Sequence, residues 1–206
     1  MKYTSSTIYI ILEWITRFAF VNLLWILFTL LGGIIFGLYP STIAMFTIIR
    51  EWLKGKHDIP VFTSFWNFYK REFINSNKLG IIITFVMAII GIDFLFIQSI
   101  QDESYLWLSI PLFSFMFLFL IYLFYLFPAF VHYDLKLFPL MKNAFLIMLI
   151  HPLHSFLMLV CLVSIYLMMS LAPALYFIFG ASTYAFITMW LSYHAFQRVE
   201  RKKIDS

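Results

Sequence analysis

The sequence predicts an all-α, polytopic helical membrane bundle, and three observations carry that expectation. From Asn143 to Gln197 the chain runs 55 residues without Asp, Glu, Lys or Arg. As a helix rising about 1.5 Å per residue that run measures roughly 80 Å, against a hydrocarbon core about 30 Å thick, so it suits two crossings and is too long for one. Hydrophobic residues are 63% of the 206 and charged residues 12%, a balance that a water-soluble domain of this length cannot bury. The abundant Phe, Tyr and Trp suit spans anchored at both interfaces. Backbone groups in lipid must be satisfied within their own segment, which selects helices; the alternating segments of a membrane barrel are absent.

The first apolar region is the hardest to read. Glu13 and Arg17, four apart in the favourable order, read as an ion pair on a helix surface. They also interrupt the early apolar stretch, so no cleavable signal peptide is expected. Phe18 to Tyr39 is uncharged and suffices for one span. Yet Gly32, Gly33 and Gly37 followed by Pro40-Ser41-Thr42 read as a helix stop and a new N-cap. That gives a hairpin: one helix to Leu31, a hinge, and a short return helix from Ser41 to about Lys54. Gly33-x-x-x-Gly37 is either a small-residue packing face or part of the hinge. Asn22 and Trp25 are polar groups placed to tie helices together.

The remaining elements follow in order. Along Phe62–Asn75, the residues Phe62, Phe65, Trp66, Tyr69 and Phe73 fall on one helical face, with Lys70 and Arg71 on the other. This predicts an amphipathic interfacial elbow helix. Spans are expected over Leu79–Ile100, over Ser104–Tyr133 (interrupted by Pro111 and Pro128), and over Pro152–Ser170 and Ala174–Phe196. Pro139–Ile150 forms a second elbow before the His151-Pro152 corner. The repeated order of elbow, corner and span hints at a duplicated unit. The whole of 1–206 reads as a single integral membrane domain.

Charge placement sets the expected orientation. Arg50, Lys54, Lys56, Lys70, Arg71 and Lys78 fall in one connection, Lys136 and Lys142 in another, and Arg198, Arg201, Lys202 and Lys203 in the tail. The connections at 101–103 and 170–173 carry no Lys or Arg. The basic connections are therefore expected in the cytoplasm, with the C-terminus inside. Six membrane segments place Lys2 and Arg17 inside too and put the N-terminus in the cytoplasm; five segments export both. Because the basic residues flank apolar runs, the net charge of +4 does not suggest a nucleic-acid partner. The expected partner is the lipid bilayer, with a homo-oligomer open.

Few residues suggest chemistry. Asp93 is the acidic residue well inside an expected span, and such carboxylates often line a substrate or proton path. Its plainer role is a hydrogen bond to a neighbour, or contact with outer headgroups near Asp102 and Glu103. His132, His151, His154 and His194 fall near one depth, and His151 and His154 share a helix face. A three-nitrogen metal site is conceivable there, but interfacial anchoring is the reading taken, and no metal or cofactor is expected. The basic, aromatic elbow offers a surface for anionic lipid or for a partner. Phosphate-binding glycine loops and the G-x-S-x-G nucleophile motif are missing, so the protein is not expected to be an enzyme. Cys161 is the lone cysteine and forms no intrachain disulfide.

Several of these residues together resemble a known pattern. Asn22-Leu23-Leu24-Trp25, the glycines to Gly37 and Pro40-Ser41-Thr42-x-Ala44-x-Phe46 are similar to the N-terminal signature of the YesL-like family. So are Arg50-x-Trp52, Gly55, the Phe65/Phe68/Phe73 segment, Lys142-Asn143-Ala144 and His151-Pro152. The resemblance covers nearly the whole chain and is strongest over 20–80. It implies a small multi-pass protein of the bacterial cell membrane, in a family defined as a domain of unknown function. Members are often encoded beside carbohydrate ABC importers and polysaccharide-utilisation genes. That association implies an accessory or regulatory subunit beside the permease of an oligosaccharide ABC importer. The alternative is a stand-alone small transporter or membrane sensor using Asp93 in a polar pathway.

Overall fold

A computed structural model describes residues 2–99, 107 and 109–204, so Asp102, Glu103 and Ser104 lie outside the described residues. Among the described residues there are seven helices and no strand. They are α1 (Lys2–Leu31), α2 (Ile35–Leu53), α3 (Val61–Ser99), α4 (Ser109–His132), α5 (Leu137–Ile150), α6 (Pro152–Ser170) and α7 (Ala174–Ile204). Five stretches are long and apolar enough to cross a bilayer: Thr7–Leu31, Val61–Gln98, Ser109–His132, Pro152–Ser170 and Ala174–Arg201. The chain is a multi-pass helical membrane protein. α2 is the return arm of a hairpin rather than a sixth stretch of this kind, because its last turn carries Arg50 and Glu51.

The hairpin departs from the expected boundaries. α2 begins at Ile35 rather than Ser41, and Pro40 lies inside it. Proline removes the N–H that would bond the carbonyl of Phe36, which ordinarily breaks a helix. Here the side-chain amide of Asn77, on α3, donates to Phe36 O at 3.1 Å and replaces the missing bond. Ser41 is not an N-cap: it is fully buried, and its hydroxyl donates back to Gly37 O at 2.6 Å. The same device recurs at Pro128 inside α4, whose abandoned carbonyl, Phe124 O, accepts from Ser192 Oγ of α7 at 3.4 Å.

The reversal itself is tight. Gly33 has φ +72 and Ile34 has φ 65 with ψ −66, while the Ile35 amide donates to Gly33 O at 2.8 Å. That is a strained γ-turn, and a β-branched residue at its centre is a cost the surrounding packing must hold in place. The close pair of glycines is Gly32 with Gly37, not Gly33 with Gly37. Gly33 supplies the turn and Gly37 the close approach.

α3 is one continuous helix, so the first elbow is not a separate element and no corner precedes the span. Ser76 and Asn77 bond backward to Phe73 O at 3.2 and 2.8 Å, within the helix, and no proline interrupts 61–99. The second elbow is as expected: α5 ends at Ile150, His151 turns the corner, and Pro152 opens α6. With a corner in only one copy, the hint of a duplicated unit fails. The α1–α2 turn abuts the middle of α3: Tyr69 OH donates to Phe28 O at 3.4 Å, and the Tyr39 ring lies on Gly80. Beyond Gly80, α3 runs on with Ile81, Phe85, Ile92 and Leu95 exposed; Phe94 there meets Phe113 of α4 edge-on at 6.3 Å.

Two buried clusters make the core. One joins α1, α2, the first part of α3 and α7 through Val21, Phe28, Ile48, Trp52, Phe65 and Met189. The other joins α3 to α7 through Leu79, Tyr125, Leu140, Ala144, Met158 and Phe196. α7 takes part in both. Its buried Ser182, Thr188 and Ser192 keep its surface narrow, which lets neighbouring helices approach closely.

Candidate functional site

A polar concavity lies where α2, α3 and the α4–α5 connection meet. It is a cavity of about 740 Å³. Ile43, Thr47 and Arg50 come from α2, Arg71, Glu72 and Asn75 from α3, and 130–137 closes the third side. Each contributor has a local reason to be there. Arg50 sits one turn before the end of α2, where a cation complements the helix dipole. Arg71 and Asn75 lie on the exposed side of α3, and the partly buried Glu72 follows one turn after the buried Tyr69. Asp134 and Lys136 lie in the connection that turns the chain into α5.

Arg50 is incompletely satisfied. One terminal nitrogen donates to His132 O at 3.4 Å and the other lies 3.6 Å from Glu51, both long. Its Nε is buried without a hydrogen-bond partner. Glu51 turns instead to Lys56 at 2.7 Å and Lys54 at 3.7 Å. Burial pushes its carboxyl up, but the Lys56 hydrogen bond and the charges of Lys54, Lys56 and Arg50 outweigh that and hold it below the usual carboxylate value. That ion cluster is in place at neutral pH and is lost as acid titrates Glu51. On the cavity's other side Nε2 of His132 pairs with Glu200 at 3.0 Å, and its ring meets Tyr193 and Phe196 at 5.5 and 5.0 Å. Burial, with the Glu200 charge, pushes the Tyr133 hydroxyl well above its ordinary value, so it stays protonated.

The residues singled out by sequence are distributed differently. Phe65 and Tyr69 do not face lipid: they are buried, with ring centroids 5.2 and 5.1 Å from Phe28 of α1. α1 covers the apolar stripe that the elbow was expected to lay on the membrane. Phe73 follows Tyr69 at 5.6 Å and is half-buried. Phe62 and Trp66 remain exposed, with the Lys70 ammonium 4.7 Å over the Trp66 ring. Arg71 pairs with Glu72 at 2.7 Å. Asn22 is buried and grips α7 twice: its amide donates to Phe177 O at 2.7 Å and its carbonyl accepts from Ser182 N at 3.1 Å. Trp25 donates to Thr42 Oγ1 at 3.0 Å, tying α1 to α2.

Asp93 is exposed in the last third of α3 and makes no ion pair or hydrogen bond with a described neighbour. His151 and His194 both lie near enough to His154 for their charges to act on it, but the ring nitrogens do not form a common site. His151 and His154 have ring centroids 5.3 Å apart, whereas His194 bonds Trp190 O at 2.7 Å and packs on that indole. Among the described residues no three His, Cys, Asp or Glu side chains form a group able to hold a metal. What the sequence did not reveal was the cavity. Arg50 and Lys136 were legible only as topology markers, and Asn75 carried no signal. Asn77 and Ser192, which complete the two proline-interrupted helices, were equally silent.

Residues 18–94 match the family described as "Protein of unknown function, DUF624". The chain is 36% identical to YteU of Bacillus subtilis (strain 168) over 92% of its own length and 85% of that protein's. The chain belongs to the YesL-like family. YesV of the same organism is 35% identical over 97% of both chains. YesL itself is 33% identical over 92% of this chain and 90% of its own. All three carry the description "uncharacterized protein", so family membership assigns no activity. No solved structure matches the chain. Within the YesL-like match, 18–94 takes in the later part of α1, all of α2 and most of α3, the arms around the Gly32–Gly37 turn.

Proposed function

We propose that this protein is a non-enzymatic integral membrane protein of the bacterial cell membrane, an accessory or regulatory subunit beside the permease of an oligosaccharide ABC importer. Both ends of the chain lie in the cytoplasm, because Arg50, Lys54, Lys56, Lys136 and Arg198 flank the ends that this orientation places there. The importer assignment rests on the genomic neighbourhood that the family resemblance implies. The observation that supports an accessory role is the hairpin formed by the outer halves of α3 and α4. Beyond Thr84, whose hydroxyl bonds Tyr39 of α2 at 2.6 Å, Phe94 of α3 meets Phe113 of α4, and Phe85, Ile92, Phe96 and Ile110 are all outward. Asp93 sits among them, and a carboxylate is costly against hydrocarbon. A permease helix that offers a polar group would relieve that cost; a polar pathway through this chain would need polar partners, and Asp93 has none among the described residues.

The test is capture through the permease. With a tag on the importer's permease, solubilised complex should retain this protein, and Asp93→Leu should reduce the amount retained. Native permease that never carries the protein along would end the importer reading. Recovery of a homodimer instead, sensitive to Asp93→Leu, would assign the same face to a second copy.

A further inference from the structure

The cavity between α2, α3 and the α4–α5 connection carries a separate inference, independent of the importer reading. We infer that it is a binding site for a phosphodiester anion, the headgroup of an acidic glycerophospholipid. Three cationic side chains converge on it: Arg50, Arg71 and Lys136. Arg50 brings a buried Nε with no partner and two terminal nitrogens held only by long contacts. A buried, unmatched guanidinium donor is expensive unless a ligand supplies the acceptor. Planar guanidinium donors suit phosphate oxygens.

A second feature points at the same ligand. α5 opens at the cavity wall, its N-cap Lys136 makes no side-chain capping bond, and the third residue, Pro139, has no N–H. The amides of Leu137 and Phe138 therefore have no partner within their own helix, and the positive end of the helix dipole faces the space that Lys136 and Leu137 line. Helix openings of this kind accept phosphate readily.

Charge and shape choose among phosphates. The cavity also holds Glu72, paired to Arg71 at 2.7 Å, and Asp134. Three cations against two carboxylates leave one net positive charge, which matches a singly charged phosphodiester better than a doubly charged monoester. The volume of about 740 Å³ lies within the ~300–1,000 Å³ of ordinary ligand sites, far more than bare phosphate fills. Ile43, Val131 and Leu135 give it an apolar wall for the glycerol ester. An amphiphile meets both demands.

Full-length protein purified in a non-ionic detergent is heated with a thiol-reactive dye, which reads unfolding at Cys161. Phosphatidylglycerol, phosphatidylcholine and inorganic phosphate are compared as additives. Phosphatidylglycerol should raise the melting temperature clearly, phosphatidylcholine little, and inorganic phosphate least; added salt should weaken the effect. Arg71→Gln with Lys136→Gln, both on exposed side chains and so tolerable to the fold, should remove most of the phosphatidylglycerol shift. Arg50→Lys should reduce it as well, by losing the forked donor. An equal shift from phosphatidylcholine, or an undiminished shift in the double variant, overturns the site. An equal shift from inorganic phosphate overturns the lipid assignment in favour of a soluble anion.

Discussion

Gly37→Val is expected to abolish recovery of folded protein from detergent extracts. A Cβ on Gly37 would stand 2.7 Å from Phe28 O, nearer still to Thr29 O, and 2.9 Å from Gly32 Cα. These are backbone atoms of the facing helix, so no rotamer change makes room. Both carbonyls are also in use. Phe28 O accepts from Gly32 N at 3.1 Å and from Tyr69 OH, and Thr29 O accepts from Ile34 N at 2.9 Å. Separating α1 from α2 would therefore open the γ-turn and loosen the seam with α3. Overpacking a tight core typically costs about 1–3 kcal/mol, and displacement of main chain takes it beyond that range. Gly33→Ala is the matched control: space there is open, and the cost is only the left-handed backbone, about 1–2 kcal/mol. Size-exclusion profiles and melting curves of the two variants should separate clearly, with Gly37→Ala already worse than Gly33→Ala.

The next largest effect is expected at Asn22. Its side chain bridges Phe177 O and Ser182 N, and both ends of the amide are used. Asn22→Leu removes the acceptor that Ser182 N points at and the donor that Phe177 O receives, inside the joint between α1 and α7. Leaving a buried polar group unmatched costs about 1–3 kcal/mol. Interhelical bonds in membranes average nearer 0.6 kcal/mol, because the separated helices find other partners; two bonds from one buried residue put the expected loss at roughly 1–3 kcal/mol. Asn22→Asp should be worse than Asn22→Leu, since it sets a carboxylate oxygen against Phe177 O. Asn22→Gln should not rescue, because the longer chain has no free volume at a site only 2% exposed. Melting temperatures in one detergent decide the order. Equal stability for Asn22→Leu and the native protein would remove the clamp.

The spans were legible because lipid imposes a simple demand: long runs without charge, broken where Lys and Arg collect. The helix breaks were less legible, for a physical reason. Pro40 and Pro128 look like stops when only their own neighbours are considered, and the groups that rescue them, Asn77 and Ser192, lie far along the chain. Periodicity likewise found the stripe of Phe65 and Tyr69 without saying what covers it. Phe28 of α1 does, which turns an expected lipid-facing elbow into part of the core. The cavity was hidden because three distant segments build it, each carrying basic residues that topology alone explains.

The proposed topology has α1 and α2 entering and leaving on one face of the membrane, so that the chain's basic connections share the cytosolic side with both ends. It is tested by a membrane-impermeant maleimide on cells carrying Cys161→Ala with either Leu171→Cys or Asp58→Cys, together with a protease-cleavable tag ahead of Met1. Leu171 is 87% exposed in the α6–α7 turn, and Asp58 lies exposed between α2 and α3. Leu171→Cys should label in intact cells, while Asp58→Cys and the tag should be reached only after permeabilisation. A tag cleaved from outside intact cells would make α1 a separate crossing and contradict the hairpin, and labelling of Asp58→Cys from outside would invert the whole orientation.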